Sequence, residues 1–228
     1  MMENINPRQL IIDTLNGKSI SKQNIYDITY KSFHLLKQVL KDISIDLSEK
    51  VTKQDQRIKV EYKDKGEFEA ELKVAGDLMI FNMHTNIFDF DKSHSIWKSS
   101  YLHEDASRSY CGMITVHNFL SDSLKYNRVN DVGYLIARIF INKDGHFFVE
   151  GKKKLGFLYN DFINSEINSE KINAIVESII LYCLEFDLLT PPYETVKQAS
   201  VSEIQELSSN MHSRTGKRVG FKFQSDDE

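Results

Sequence analysis

The spacing of apolar residues changes period along this chain, and each change marks an element. Between Lys22 and Leu47 the apolar positions Phe33, Leu36, Leu40, Ile43 and Leu47 fall at intervals of three and four, with Lys37, Lys41 and Asp42 elsewhere. That spacing predicts a helix over 22–47 with one apolar face. From Arg57 the period becomes two. Ile58, Val60 and Tyr62 alternate with charged residues, and after Asp64-Lys65-Gly66 so do Phe68, Ala70, Leu72 and Val74. Two strands with one wet face follow, and Gly76-Asp77 turns the chain into a third at Leu78–His84. Met113–Phe119 predicts a further strand. The nearly unbroken run from Val132 to Ile141 meets Asn142-Lys143-Asp144-Gly145 and returns as His146-Phe147-Phe148-Val149, which predicts a hairpin whose first strand is covered on both faces. Leu155–Tyr159 reads as a last strand.

Three helix starts share one grammar, an apolar residue, a polar cap and a second apolar residue that closes over the first turn. They are Ile5-Asn6 with Leu10, Ile20-Ser21 with Ile25, and Ile167-Asn168 with Ile172. Pro7 at the first helical position and Gly17 at the end delimit a helix over 7–16. A helix over 169–189 ends at Thr190-Pro191-Pro192. The expected fold class is therefore α+β: an antiparallel sheet of about six to seven strands over 55–160, packed against N-terminal and C-terminal helices. Residues 1–195 form one domain in this reading, and 196–228 a C-terminal arm with a short helical pattern (Val201, Ile204, Leu207, Met211) and a basic ending. The 22–47 seam suits the sheet of its own chain, and a dimer through it is the alternative; with so few heptads the first is preferred.

Composition narrows the class. At 41% hydrophobic and 27% charged, with 3 Pro and 10 Gly, the chain is neither disordered nor low-complexity. No apolar run approaches membrane-spanning length and Met1–Pro7 lacks the pattern of a secretory signal, so the cytoplasm is the expected location. Cys111 and Cys183 lack metal-ligand spacing and read as free, partly buried thiols. A net charge of -4 argues against bulk DNA binding.

The chemistry is sparse. Five of the seven histidines lie between His84 and His146, but no paired-ligand spacing of a metal site occurs. Asp89-Phe90-Asp91 begins like a calcium loop, then has His94 and Ser100 where glycine and glutamate belong. Cys111 has His117 six residues on but no base or oxyanion donors legible beside it. No metal, cofactor or catalytic residue is assigned. Arg138 is the sole charge in its apolar run; it binds an anion, meets a structural carboxylate, or faces the solvent rim. With His84 and His117 it is the candidate for a small-ligand pocket. The 85–112 connection has no sustained period and is long enough to be functional. Trp97 within it, among Phe88, Phe90, Tyr101 and Tyr110, either anchors a ligand or pins the connection to the core.

Two basic segments echo each other. Gly151-Lys152-Lys153-Lys154-Leu155-Gly156-Phe157 and Gly216-Lys217-Arg218-Val219-Gly220-Phe221, the latter preceded by Arg214, each combine charge with a following Gly-Phe. Lys152, Lys153, Lys154, Arg214, Lys217, Arg218 and Phe221 are candidate partner contacts, suited to an acidic protein groove and less to RNA. The stretches Phe147–Lys152, Gly156–Phe162 and Thr215–Phe223 resemble an uncharacterised bacterial family without an assigned activity, which implies no functional residue. The expected function is a non-enzymatic binding or regulatory module engaging a protein partner through the 85–112 loop and the arm. A small-ligand sensor or enzyme with an anion pocket at Arg138 is the alternative, and an RNA-machinery factor a weaker one.

Overall fold

A computed structural model describes residues 6–129, 131–151, 154–185, 190, 192–202 and 204–205. Its elements are helices α1 (Pro7–Thr14), α2 (Ile20–Thr52), α3 (Ser100–Glu104), α4 (Ser121–Lys125), α5 (Lys154–Leu158), α6 (Ser169–Leu184) and α7 (Tyr193–Val196). The strands are β1 (Val60–Asp64), β2 (Glu69–Val74), β3 (Asp77–Met83), β4 (Cys111–Leu120), β5 (Tyr134–Asn142) and β6 (Phe147–Gly151). All six strands form one antiparallel sheet in chain order, as the α+β reading expects.

The sheet has an inner face under helices and an outer face. On the inner face Val60, Leu72, Met79, Phe81, Ile114, Val116, Ile139 and Phe147 meet Phe33, Leu36, Leu40 and Ile43 of α2 and Ile172, Ile175, Val176 and Ile179 of α6 in one apolar core. The α2 seam is thus consumed by the chain's own sheet, which leaves those four side chains unavailable to a second copy. Contact with β4 is close enough to require glycine. A Cβ on Gly112 would fall 2.0 Å from Thr29 Oγ1, and Thr29, itself buried, donates to the Ile25 carbonyl at 2.8 Å. Lys37 reaches from α2 to Asp64 at 2.8 Å and to the Gly66 carbonyl, clamping the helix to the β1–β2 turn. That contact holds the Asp64 carboxyl below its usual range.

Two of the three expected helix starts are capped as read. Asn6 Oδ1 accepts from the Arg8 amide at 3.0 Å, and Asn168 Oδ1 from the Lys171 amide at 2.9 Å. The expected break between 16 and 22 is absent. Leu15–Ser19 is a π-helical turn, and the Ile20 amide donates back to the Leu15 and Gly17 carbonyls. Those carbonyls satisfy the amides that a cap would otherwise serve, so α1 runs into α2 and Ser21 caps nothing. α2 also continues to Thr52, five residues past Leu47. The C-terminal helix is described to Leu184, and residues 186–189 of its expected span lie outside the described residues.

The expected strand at Leu155–Tyr159 is a helical turn, α5. From the end of β6, Leu155 must reach the inner core, where it is 2% exposed, and one tight turn brings it there. The chain then doubles back along β6, with the Tyr159 carbonyl accepting from the Val149 amide and the Ser165 carbonyl from the Phe147 amide. These bonds close the β6 edge without a seventh strand. The Asp144-Gly145 hairpin is as read: Gly145 has φ 76°, and Asn142 Oδ1 accepts from the Asp144 and His146 amides. β5 begins at Tyr134, and Val132 is exposed. No helix among the described residues is long and apolar enough to cross a membrane.

Candidate functional site

The outer face of the sheet is divided. Its β5–β6 half is covered by the 85–112 excursion, and its β1–β3 half is open. The excursion is built of short turns: a 3-10 turn at Ser95–Lys98, α3, and a second 3-10 turn at Ala106–Ser109. Each begins on a side chain that accepts an amide: His94 from Ile96, Ser99 from Tyr101 and Asp105 from Ser107. Local capping explains how a stretch with no hydrophobic period takes a defined shape.

A second apolar cluster glues it down. Ile96, Tyr101 and Leu102 of the excursion are buried with Cys111, Phe140, Phe148 and Phe162, and Phe90 and Trp97 pack against them. The rings are in specific contact: Phe140 and Phe148 stack at 5.1 Å, Phe90 meets Phe140 edge-on at 4.9 Å, and Phe162 meets Phe148 edge-on at 5.0 Å. Polar ties surround the cluster. Tyr101 Oη donates to Asp144 at 2.7 Å and accepts from the buried Asn142 side-chain amide at 3.0 Å, and burial pushes its pKa up to about 12. Arg108 bonds Asp144, the Tyr101 carbonyl and Glu104. Lys143 bonds Asp105 and Ser107 and, with Ser107, holds the Asp105 carboxyl far below its usual range. Sequence reasoning missed Tyr101, Arg108, Asn142 and Asp144 as a group. Their partners lie 36 to 43 residues apart, so no local signal exists.

The four ligand candidates are placed as follows. Trp97 donates its Nε1 to the Phe90 carbonyl at 3.2 Å and carries Lys92 Nζ 3.0 Å over its ring; it pins the excursion. Arg138 is exposed on the outer face and bonds Glu150, whose other oxygen meets His94 Nε2 at 3.1 Å. Its guanidinium also sits 5.5 Å from the Phe140 ring. Of the readings open for Arg138, the structural carboxylate and the solvent rim both apply. Arg138 is the cross-strand neighbour of Thr115, and His117 follows two residues on, opposite Leu135 and Ile80. His117 is half-buried, and desolvation lowers its pKa. His84 lies exposed beyond β3, its Nδ1 accepting from the Asn86 amide. Two cavities among the described residues, one between α2 and residues 85–88 and one on the open sheet face, are lined by none of the four.

Cys111 is fully buried under the excursion, and desolvation raises its thiol pKa, the opposite of what a nucleophile needs. Among the described residues no cluster of His, Cys, Asp or Glu is arranged to hold a metal ion. Lys152, Lys153, Arg214, Lys217, Arg218 and Phe221 lie outside the described residues, whereas Lys154 opens α5.

The open half carries the larger of these two cavities, a cleft of about 770 Å³ between the sheet and residues 121–131. Its floor is a cross-strand row, Glu61–Lys73–Leu78–Phe119, with Lys63 opposite Glu71 in the next row.

Fold and site together define an α+β protein, a six-stranded antiparallel meander with helices inside and a docked excursion outside. No family model matches this chain, and no curated protein or solved structure matches it significantly.

Proposed function

We propose that the chain is a non-enzymatic binding or regulatory module of the bacterial cytosol. It engages a macromolecular partner, most simply an acidic protein surface, through the outward side of the 85–112 excursion and the basic arm bearing Arg214, Lys217, Arg218 and Phe221. The observation that carries this reading is the fastening of the excursion. A connection that only covered Phe140 and Phe148 would not need three capped turns and ties to Asp144, Glu150 and Lys143. Ordering achieved during folding is not charged again on binding, which is the advantage of a preformed contact surface. Lys92, Lys98 and His103 stand exposed on it. The two buried cysteine thiols agree with a reducing compartment.

An anion pocket at Arg138 is less well supported, because Glu150 and the Phe140 ring already meet its charge.

The test is a chain ending at residue 211, used beside the full chain to capture partners from lysate of the native host. The full chain is expected to retain a protein that the shortened chain loses, with melting temperatures that agree. Identical capture by both would refute the role of the arm.

A further inference from the structure

We propose that the open half of the outer face is a nucleotide-binding cleft, in which Phe119 stacks a base and Lys63, Lys73 and Lys125 take the phosphates. The charge of the cleft runs against that of the chain. Six basic side chains and three acidic ones line it, in a protein whose net charge is -4. The acids are answered locally: Glu71 by Lys65 at 3.2 Å, Glu61 by Lys59 at 3.9 Å and Asp131 by Arg128 at 3.9 Å. The cations left over are Lys63 and Lys73, which have no ion-pair partner among the described residues, and Lys125, whose Nζ lies 5.0 Å from the Tyr126 ring. Glu61 and Glu71 are the cross-strand neighbours of Lys73 and Lys63, yet six cations against three acids leave the concave surface net positive, which concentrates phosphate.

Phe119 supplies what a charged patch alone lacks. It lies on the cleft floor beside Leu78, and its ring is backed by Gly133, where an added Cβ would fall 2.3 Å from the ring. Glycine at 133 leaves room for the ring to lie against the strand backbone, and a side chain there would push the ring aside. An aromatic face placed in this way suits base stacking, which tolerates any base. The distances fit as well. β4 and β2 are two strands apart, which places Lys73 about 10 Å from Phe119 along the shared row, comparable to the reach from a base across its sugar to its phosphates. The volume of about 770 Å³ lies within the range of small-molecule sites.

A free nucleotide and one unit of a single strand present the same chemistry, and the binding assay separates them. Full-length protein is titrated at low salt with adenosine triphosphate, a labelled ten-nucleotide single-stranded oligouridylate and inorganic triphosphate. Saturable binding of a base-bearing probe is expected. Tighter binding of the oligonucleotide, weakening steeply with salt, identifies a strand, and tighter binding of the triphosphate nucleotide identifies a free ligand. Lys63→Gln with Lys73→Gln should weaken both probes at least tenfold, and Lys125→Gln serves as an independent surface variant with a smaller loss in the same direction. Phe119→Leu should weaken base-bearing probes roughly five- to a hundredfold while leaving inorganic triphosphate unchanged, and Gly133→Ala should reproduce that split by displacing the ring. The proposal is overturned if neither base-bearing probe saturates, if the lysine variants bind as the parent does, or if Phe119→Leu weakens inorganic triphosphate equally. The cleft is remote from the excursion, so its failure leaves the proposed partner docking untouched.

Discussion

Replacing Phe148 by alanine should loosen the excursion while sparing the helical side of the sheet. Phe148 is 2% exposed and touches Phe140, Phe162 and Phe90 at ring separations of 5.1, 5.0 and 5.6 Å. It is therefore the centre of the outer cluster. Truncating a buried phenylalanine costs about 3–5 kcal/mol, because the transfer loss is joined by a cavity. Here the cavity would open directly beneath Phe90 and Phe162. Trp97, the one tryptophan of the chain, packs against this cluster and reports on it by fluorescence. Urea titration followed by Trp97 emission and by far-ultraviolet circular dichroism should give coincident transitions in the parent. In Phe148→Ala the fluorescence transition should move to lower urea by more than the dichroism transition does. Phe81→Ala, in the inner core, should move both together. Coincident curves in Phe148→Ala, or a loss below about 1 kcal/mol, would refute the idea that this ring fastens the excursion.

Further consequences concern packing, protonation and reactivity. Gly112→Ala should destabilise by at least about 1–3 kcal/mol through overpacking against Thr29, and Thr29→Ser should recover part of that loss in a thermal melt. The Asp105 carboxyl is depressed by Lys143 and Ser107. Its stabilisation is therefore complete above the ordinary carboxylate pKa of about 4 and is lost progressively as pH falls from there through its depressed native value. The melting temperature should therefore fall between pH 6 and pH 3 by more in the parent than in Asp105→Asn, and equal falls in the two proteins would contradict the assignment. Cys111 and Cys183 are both buried, so native protein should resist alkylation and label at two sites only when unfolded. Fast labelling of Cys111 would reopen the nucleophile reading.

Much of the sheet could be read directly. The alternation over 58–74 fixed which residues of β1 and β2 face the helices, because a strand with one wet face states its orientation in every second residue. Asn6 and Asn168 announced their helices, since a cap is a contact over two or three residues. The join at Leu15–Ser19 was hidden because Gly17 and Ser21 suit a break equally well, and only the register of backbone bonds distinguishes a π turn from two helices. At Leu155–Tyr159 apolar residues at alternate positions suggested a strand, yet the destination of Leu155 in the inner core decided for a turn. The excursion was legible only as an aromatic, aperiodic stretch, since what orders Phe90 and Tyr101 lies on β5, β6 and beyond. Lys63 and Lys73 read as an ordinary wet face. Their relation to Phe119 exists only through the register of β1, β2, β3 and β4, and the closeness of Gly133 to that ring leaves no mark in either local sequence.

Amide hydrogen exchange over Ser95–Tyr110 tests the fastened excursion most directly. The amides of Trp97, Ser99, Leu102, Arg108 and Tyr110 each donate within the excursion, and they should exchange orders of magnitude more slowly than an open loop does, in step with the β5–β6 hairpin. Exchange at open-loop rates in this segment, beside a protected hairpin, would contradict the preformed surface on which the proposed binding function rests.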